Sequence, residues 1–374
     1  MESVLENTFS CPKNMTYGPC GGVEFDGSCE VSEHSCVFVD GDTVAWRGPT
    51  PVTLQARAAD GRVPMREPAP VEPLSQGGAE LARLMATRQI VVADFPARAL
   101  DTGSLAECAG ILAGAADATL AGDSGAHRVQ FSPTYRALLI QGHGLRVIAG
   151  FNCRDRNRVA IEAELAGLAA VGVAAVHCVT GDHTLTGSRP DALPVFDLDS
   201  TQVAARAAAA GHLVSVGEAP ATPPVARRAA RLVEKQKAGA QLAFVNHAGG
   251  AAPVASFIGS VRRRQGEAGL PELAFIACVP VVIDRGSAEL LGSFTTLVLP
   301  EGYLERILSA RDVFSEGIAA AIDLSNELLA IDGMAGVNLS GGPQDGRESF
   351  FAEALARIAT GVSLGERVGG IHGS

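Results

Sequence analysis

Residues 153–183 read CRDRNRVAIEAELAGLAAVGVAAVHCVTGDH. Over 156–171, Ile161, Leu165 and Leu168 fall on one helical face, and Gly172 follows as a stop. The next run, AAVHCV (174–179), is apolar and too short for a helix, and it ends in the polar turn TGDH. A helix that feeds a buried strand with a polar end is the repeating unit of a parallel α/β fold.

The same unit recurs along the chain. Strand candidates are IVVAD (90–94), ATLA (118–121), LRVIAGF (145–151), AAVHCV (174–179), HLVSV (212–216), QLAFVN (241–246), LAFIACV (273–279) and AGVNLS (335–340). Helical stripes lie between them, as with Phe314, Ile318, Ile322 and Leu329. A doubly wound sheet is the competing architecture. An even count of eight strands with crossovers, over roughly 290 residues, favours closure into a (β/α)8 TIM barrel. The expected barrel spans 75–362 and leaves a tail at 363–374. Residues 48–74, with Pro49, Pro51, Pro64, Pro68, Pro70 and Pro73, read as a linker.

Composition bounds the function. The chain has 374 residues, 47% of them hydrophobic and 19% charged, which suffices for a large core. Lys+Arg number 30 against 41 Asp+Glu, for a net charge of −11 that repels a nucleic-acid backbone. The run Arg262–Arg264 reads as a solvated helix end, and Gly110, Gly114 and Gly122 are too weak a pattern to name a dinucleotide site. Apolar runs stop at about ten residues where a bilayer needs ~20. The start, MESVLENTFS, has neither a basic region nor an apolar run, so a cytoplasmic protein without a secretory signal is expected.

Of eight cysteines, Cys11, Cys20, Cys29 and Cys36 cluster at the N-terminus with spacing C-x8-C-x8-C-x6-C, while Cys108, Cys153, Cys178 and Cys278 sit in apolar segments. Four thiolates in a Gly-rich stretch suit a tetrahedral structural zinc; an iron–sulfur cluster is also compatible, and His34 is near enough to replace one ligand. Residues 1–47 are therefore expected to form a small cysteine-rich metal-binding module ahead of the barrel. In a barrel the chemistry sits at the C-terminal strand ends. The polar residues there are Asp94, Asp123, Arg154 with Asp155, Asp182 with His183, Glu218, Asn246 with His247, and Asp284. Asp and Asn also cap helices, so part of this set is turn chemistry.

Several strings resemble a known family. The 153–183 segment, EKQKAGAQLAFVN (234–246), VVADFP (91–96) and GVNL (336–339) are similar, in order, to methylenetetrahydrofolate reductase, a resemblance covering about 75–360. CPKNMTYGPCGG and GSCEV in the first 32 residues resemble the cysteine-rich, zinc-finger-like C-terminal domain that accompanies that reductase, often on a separate polypeptide. The resemblance implies interconversion of 5,10-methylenetetrahydrofolate and 5-methyltetrahydrofolate, with hydride from reduced flavin or NAD(P)H. Asp94 takes the place of the family's general-acid Glu, one methylene shorter. Asp182 matches an Asp beside flavin and pterin, where a carboxylate faces a cationic intermediate. Asn246 replaces a Gln that contacts the folate ring.

Arg154, Asp155, Arg156, Asp182, His183 and Lys235 are the implied FAD-binding residues, and Arg154 and Arg156 also suit a folate glutamate tail. Across 217–235, however, GEAPATPPVARRAARLVEK departs from the family's FAD-holding pattern, which leaves direct transfer from nicotinamide open. Two other functions fit the same residues: a methyltetrahydrofolate-dependent methyltransferase, and a non-catalytic subunit of a reductase complex. The expected partners are a folate-type small molecule and, through the cysteine module, a second copy or a partner subunit.

Overall fold

The computed structural model describes residues 11–51, 72–122 and 127–367. Residues 1–10, 52–71 of the expected linker, Asp123 and 368–374 of the expected tail lie outside the described residues. In the cysteine-rich segment two short antiparallel strands, β1 (Ser28–Cys29) and β2 (Ser32–Ser35), form a hairpin.

The barrel follows as expected. Its strands are β3 (Ile90–Asp94), β4 (Ala118–Ala121), β5 (Val147–Asn152), β6 (Ala175–Val179), β7 (Val214–Glu218), β8 (Leu242–Val245), β9 (Ala274–Pro280) and β10 (Met334–Ser340). All pair in parallel, and β10 closes the ring by pairing with both β9 and β3. The helices are α1 (Gln76–Thr87), α2 (Thr102–Leu112), α3 (Pro133–Gln141), α4 (Arg158–Ala170), α5 (Ser200–Ala209), α6 (Arg228–Lys237), α7 (Ala251–Glu267), α8 (Arg285–Gly292), α9 (Tyr303–Leu308), α10 (Val313–Leu329) and α11 (Glu348–Gly361). Among the described residues no helix is long and apolar enough to cross a membrane.

Element ends shift from the sequence expectation for local reasons. The helix expected from 156 starts at Arg158, because the Asn157 side chain accepts from the Ala160 N–H and caps it. It stops where Gly172 takes φ +69°, a left-handed conformation that favours glycine. The strand expected at 212–216 begins at Val214 and runs on to Glu218, since Gly217 and Glu218 continue the ladder opposite Phe244 and Val245. His212 turns away, its Nε2 on the Leu165 carbonyl at 2.9 Å.

Strand alternation divides the core in two. Val91, Val147, Val176, Val214, Ala243 and Val337 face the helices. Ile90, Val92, Ala118, Ile148, Ala175, Leu242, Phe244 and Ile276 face inward, where Leu81 and Met85 of α1 pack against them. α1 thus plugs the N-terminal end and leaves the C-terminal end as the open one. Leu81 is fully buried in this plug. Leu81→Ala is expected to cost about 3 kcal/mol in urea denaturation, the usual penalty for a large-to-small change in a packed interior. A loss below 1 kcal/mol would mean that the plug is loosely seated.

Candidate functional site

The inward positions at the C-terminal end are unlike the apolar ones below. Asp94, Leu120, Val179, Gly217 and Cys278, on five different strands, all point inward by parity and all retain accessible surface. Solvent therefore reaches the C-terminal end of the barrel interior at these five positions.

Asp94 ends β3 on one wall. The Asn338 Nδ2 donates to its Oδ1 at 2.9 Å, and the Gly341 N–H donates to Oδ2 at 3.2 Å. Burial nevertheless pushes its carboxyl up to about 6, because neither partner carries a positive charge. Cys278 on β9 lies beside it, 3.9 Å from the Asn338 amide. Burial, with the Asp94 charge added, raises its thiol, so it stays protonated. Also pointing into the barrel, His177 of β6 is bonded through Nδ1 to the Ser215 hydroxyl of β7 at 2.8 Å and packs edge-on to Phe244 of β8.

Glu218 ends β7 and has the opposite environment. It is buried, with Arg228 Nη1 at 3.0 Å on one oxygen and Lys235 Nζ at 2.7 Å on the other. Burial alone would raise its pKa, but Lys235, Arg228 and Arg231 outweigh it and hold the carboxylate ionised.

The same cations seat the cysteine-rich segment. Arg228 donates to the Cys20 carbonyl and Arg231 to the Tyr17 carbonyl, both from α6. Arg227 donates to the Val39 carbonyl at 2.6 Å, and the Trp46 N–H donates to Glu234 at 2.6 Å. Asp199 caps α5 with one oxygen, while its other accepts from the Thr16 and Tyr17 N–H groups at 3.0 and 2.8 Å. Lys13 reaches the Gly181 carbonyl at 3.0 Å. The segment thus covers the strand ends of β6 and β7.

Within it, Cys11, Cys20, Cys29 and Cys36 line one cavity with Lys13 and His34, and none forms a disulfide. The Gly22 N–H donates to the Cys20 Sγ at 3.3 Å, as amides do toward thiolate ligands. Burial raises the Cys11 and Cys36 thiols. Among the described residues no three His, Cys, Asp or Glu side chains are spaced to hold an ion. The donor chemistry suits a soft metal, while among the described residues the sulfurs are not gathered into a ligand shell.

The residues implied for FAD do not form an open anion site. Arg154 is buried and pairs with Asp155 at 2.7 and 2.8 Å. Lys235 is held by Glu218 and the Gly217 carbonyl. Arg156 bonds the Asn152 carbonyl and lies 5.1 Å over the Phe151 ring. His183 is buried, its Nδ1 accepting from the Leu185 N–H. That leaves Asp182 and Asp155 as the more exposed groups, and a diphosphate would meet their carboxylates. Asp182 is exposed on the rim with Arg128 at 3.5 Å, and Asn246 is exposed at the end of β8, its N–H on the Glu218 carbonyl. Asp284 caps α8, as turn chemistry predicts.

Sequence reasoning missed Asn338, Cys278, His177, Ser215 and the docking role of Arg228, Arg231 and Asp199. A signal existed for His177: it is the central residue of an apolar strand, on the same face as Ala175 and Val179.

Residues 4–44 match the family described as Methylene-tetrahydrofolate reductase C terminal. No curated protein matches the sequence. Among solved structures, an uncharacterized protein from Clostridium thermocellum, described as binding two copies of 5-methyl-5,6,7,8-tetrahydrofolic acid, is similar with a TM-score of 0.53 at 11% identity, over 74% of this chain and 97% of that one. A 2,3-dimethylmalate lyase of the PEP mutase/isocitrate lyase superfamily aligns with a TM-score of 0.40 at 16% identity, over 76% of this chain and 94% of that one. The first likeness is one of fold.

Two outcomes follow from the contrasting carboxylates. Glu218→Gln leaves buried cations uncompensated and is expected to cost about 3–5 kcal/mol, with faster proteolysis inside residues 11–51; unchanged stability and cleavage would show that the cations do not depend on it. Asp94 binds its proton more tightly in the folded than in the unfolded chain, so its contribution to stability is present below about pH 4 and is lost as pH rises through about 6. Denaturation of Asp94→Asn against the parent should therefore shift in the variant's favour by up to about 3 kcal/mol between pH 4 and pH 7. A pH-independent difference would mean an ordinary carboxyl.

Proposed function

We propose that the chain is an oxidoreductase that interconverts 5,10-methylenetetrahydrofolate and 5-methyltetrahydrofolate, with NAD(P)H as the hydride donor and Asp94 as the proton donor. One observation carries this reading: a carboxyl pushed up to about 6, at the end of the first barrel strand, pointing inward at a position that solvent reaches. Opening the bridged substrate to an iminium requires a proton on the departing nitrogen. A protonated Asp94 supplies it, and a pKa close to the working pH lets the group be reloaded. Hydride then adds to the iminium carbon and the nicotinamide is oxidised. Asp182, exposed at the rim, would stabilise the cationic intermediate, and Asn246 would contact the part of the folate outside the barrel interior.

Support also comes from the match of residues 4–44 and from a protein of similar fold described as binding 5-methyltetrahydrofolate. The pairing of Arg154 and Lys235 with carboxylates favours direct transfer from nicotinamide over a bound flavin. A methyl transfer through Cys278 is disfavoured, because its thiol is raised rather than activated. Cys11, Cys20, Cys29 and Cys36 would supply four thiolates to a structural zinc ion, which would have to draw together sulfurs that are not gathered into a ligand shell here.

The test is a visible spectrum and metal content of purified protein, before and after NAD(P)H and then methylenetetrahydrofolate. Folate-dependent NAD(P)H oxidation without flavin absorbance, and about one zinc per chain, is the expected result. Flavin that bleaches with NAD(P)H and recovers with folate would overturn the direct route. No turnover in either direction would overturn the reductase reading. Asp94→Asn should lower kcat by about 100-fold or more with little change in folate affinity.

A further inference from the structure

His177 points into the barrel from β6, and the proposed proton transfer does not use it. It is 8% exposed on the inward face of β6, and its Nδ1 is bonded to the fully buried Ser215 hydroxyl at 2.8 Å. The bond is compatible with either ring tautomer; in the one where the hydroxyl donates, the ring's own proton sits on Nε2. Burial, and next Lys235, lowers the ring to about 3, so it is neutral at physiological pH.

The other edge of the ring faces Gly217. A Cβ at 217 would lie 3.6 Å from Nε2 and 3.7 Å from Cε1, which is ordinary contact. Gly217 has no left-handed backbone angle, and a side chain there would meet no clash. Neither conformation nor packing calls for glycine at this strand position, where it weakens the strand. What its missing side chain leaves open is the space above the Nε2–H.

We propose that the Nε2–H of His177, oriented by Ser215 and left uncovered by Gly217, is the hydrogen-bond donor inside the barrel and selects the carbonyl edge of a flat heterocycle, which for a reduced folate is the pterin 4-oxo group. This rests on the folate reading above. Phe244, edge-on to the imidazole, holds the ring from the side. A donor fixed in a buried site accepts a 4-oxo ligand and opposes a 4-amino one, whose own N–H groups meet it head-on.

The experiment is calorimetric binding of 5-methyltetrahydrofolate and of its 4-amino-4-deoxy counterpart to the full chain. The parent is expected to prefer the 4-oxo ligand at least about tenfold. His177→Leu should lose that preference and bind the 4-oxo ligand about tenfold more weakly, and His177→Gln, which restores a donor, should recover part of it. Gly217→Ala should keep the parent Tm and weaken both ligands, because the new methyl enters the space rather than the fold. Undiminished preference in a folded His177→Leu, or in His177→Gln and Ser215→Ala should His177→Leu not fold, would overturn this inference and leave the folate reading standing. Unaltered binding by Gly217→Ala would likewise count against it. A parent chain that binds neither ligand would overturn the folate reading and this inference's ligand with it.

Discussion

The ionised Glu218 carboxylate at the end of β7 is the point on which the upper half of the molecule is built. Burying a carboxylate is unfavourable unless cations and hydrogen bonds replace the lost water. Here Lys235 and Arg228 take one oxygen each. Arg228, with Arg231 one turn further along α6, then carries donors outward to the Cys20 and Tyr17 carbonyls. The charge at one strand end thereby orders α6, and α6 orders the cysteine-rich segment. Asp199 makes a parallel link from α5, capping its own helix and accepting two amides of the segment with the same carboxylate.

Asp94 stands on β3, four strands around the ring from β7. It has the same functional group as Glu218 and the opposite electrostatic fate. Its partners, Asn338 and the Gly341 amide, are neutral donors, so desolvation wins and the carboxyl is held near neutrality. One barrel thus keeps one acid permanently ionised as a structural anchor and another able to carry a proton. Environments that push two carboxylates apart in this way are the usual route to a division of roles. Arg228 and Lys235 are paired with Glu218, and Arg154 with Asp155.

Much of the architecture was legible because parallel barrel strands are buried on both faces and read as uninterrupted apolar runs. IVVAD and ATLA match β3 and β4 residue for residue. The polar strand ends were equally visible, and Asp94 was among them. Their partners were not. Asn338 lies 244 positions from Asp94 in sequence, and Ser215 lies 38 positions from His177. No local pattern encodes which of the polar ends will meet a cation. Arg154 and Lys235 looked like ligands for a phosphate; folding set both against carboxylates of their own chain.

From the sequence by itself come the period of helix and strand, the count of eight strands, the acidic balance and the cysteine cluster, since composition and spacing act over a few residues. The tertiary structure alone decided which inward positions are solvent-reachable, that α1 closes the opposite end, that the cysteine-rich segment sits over β6 and β7, and which carboxylate is charged. Those depend on closure of the ring, which brings distant side chains into one low-dielectric space where pairing and burial, rather than residue type, set the chemistry.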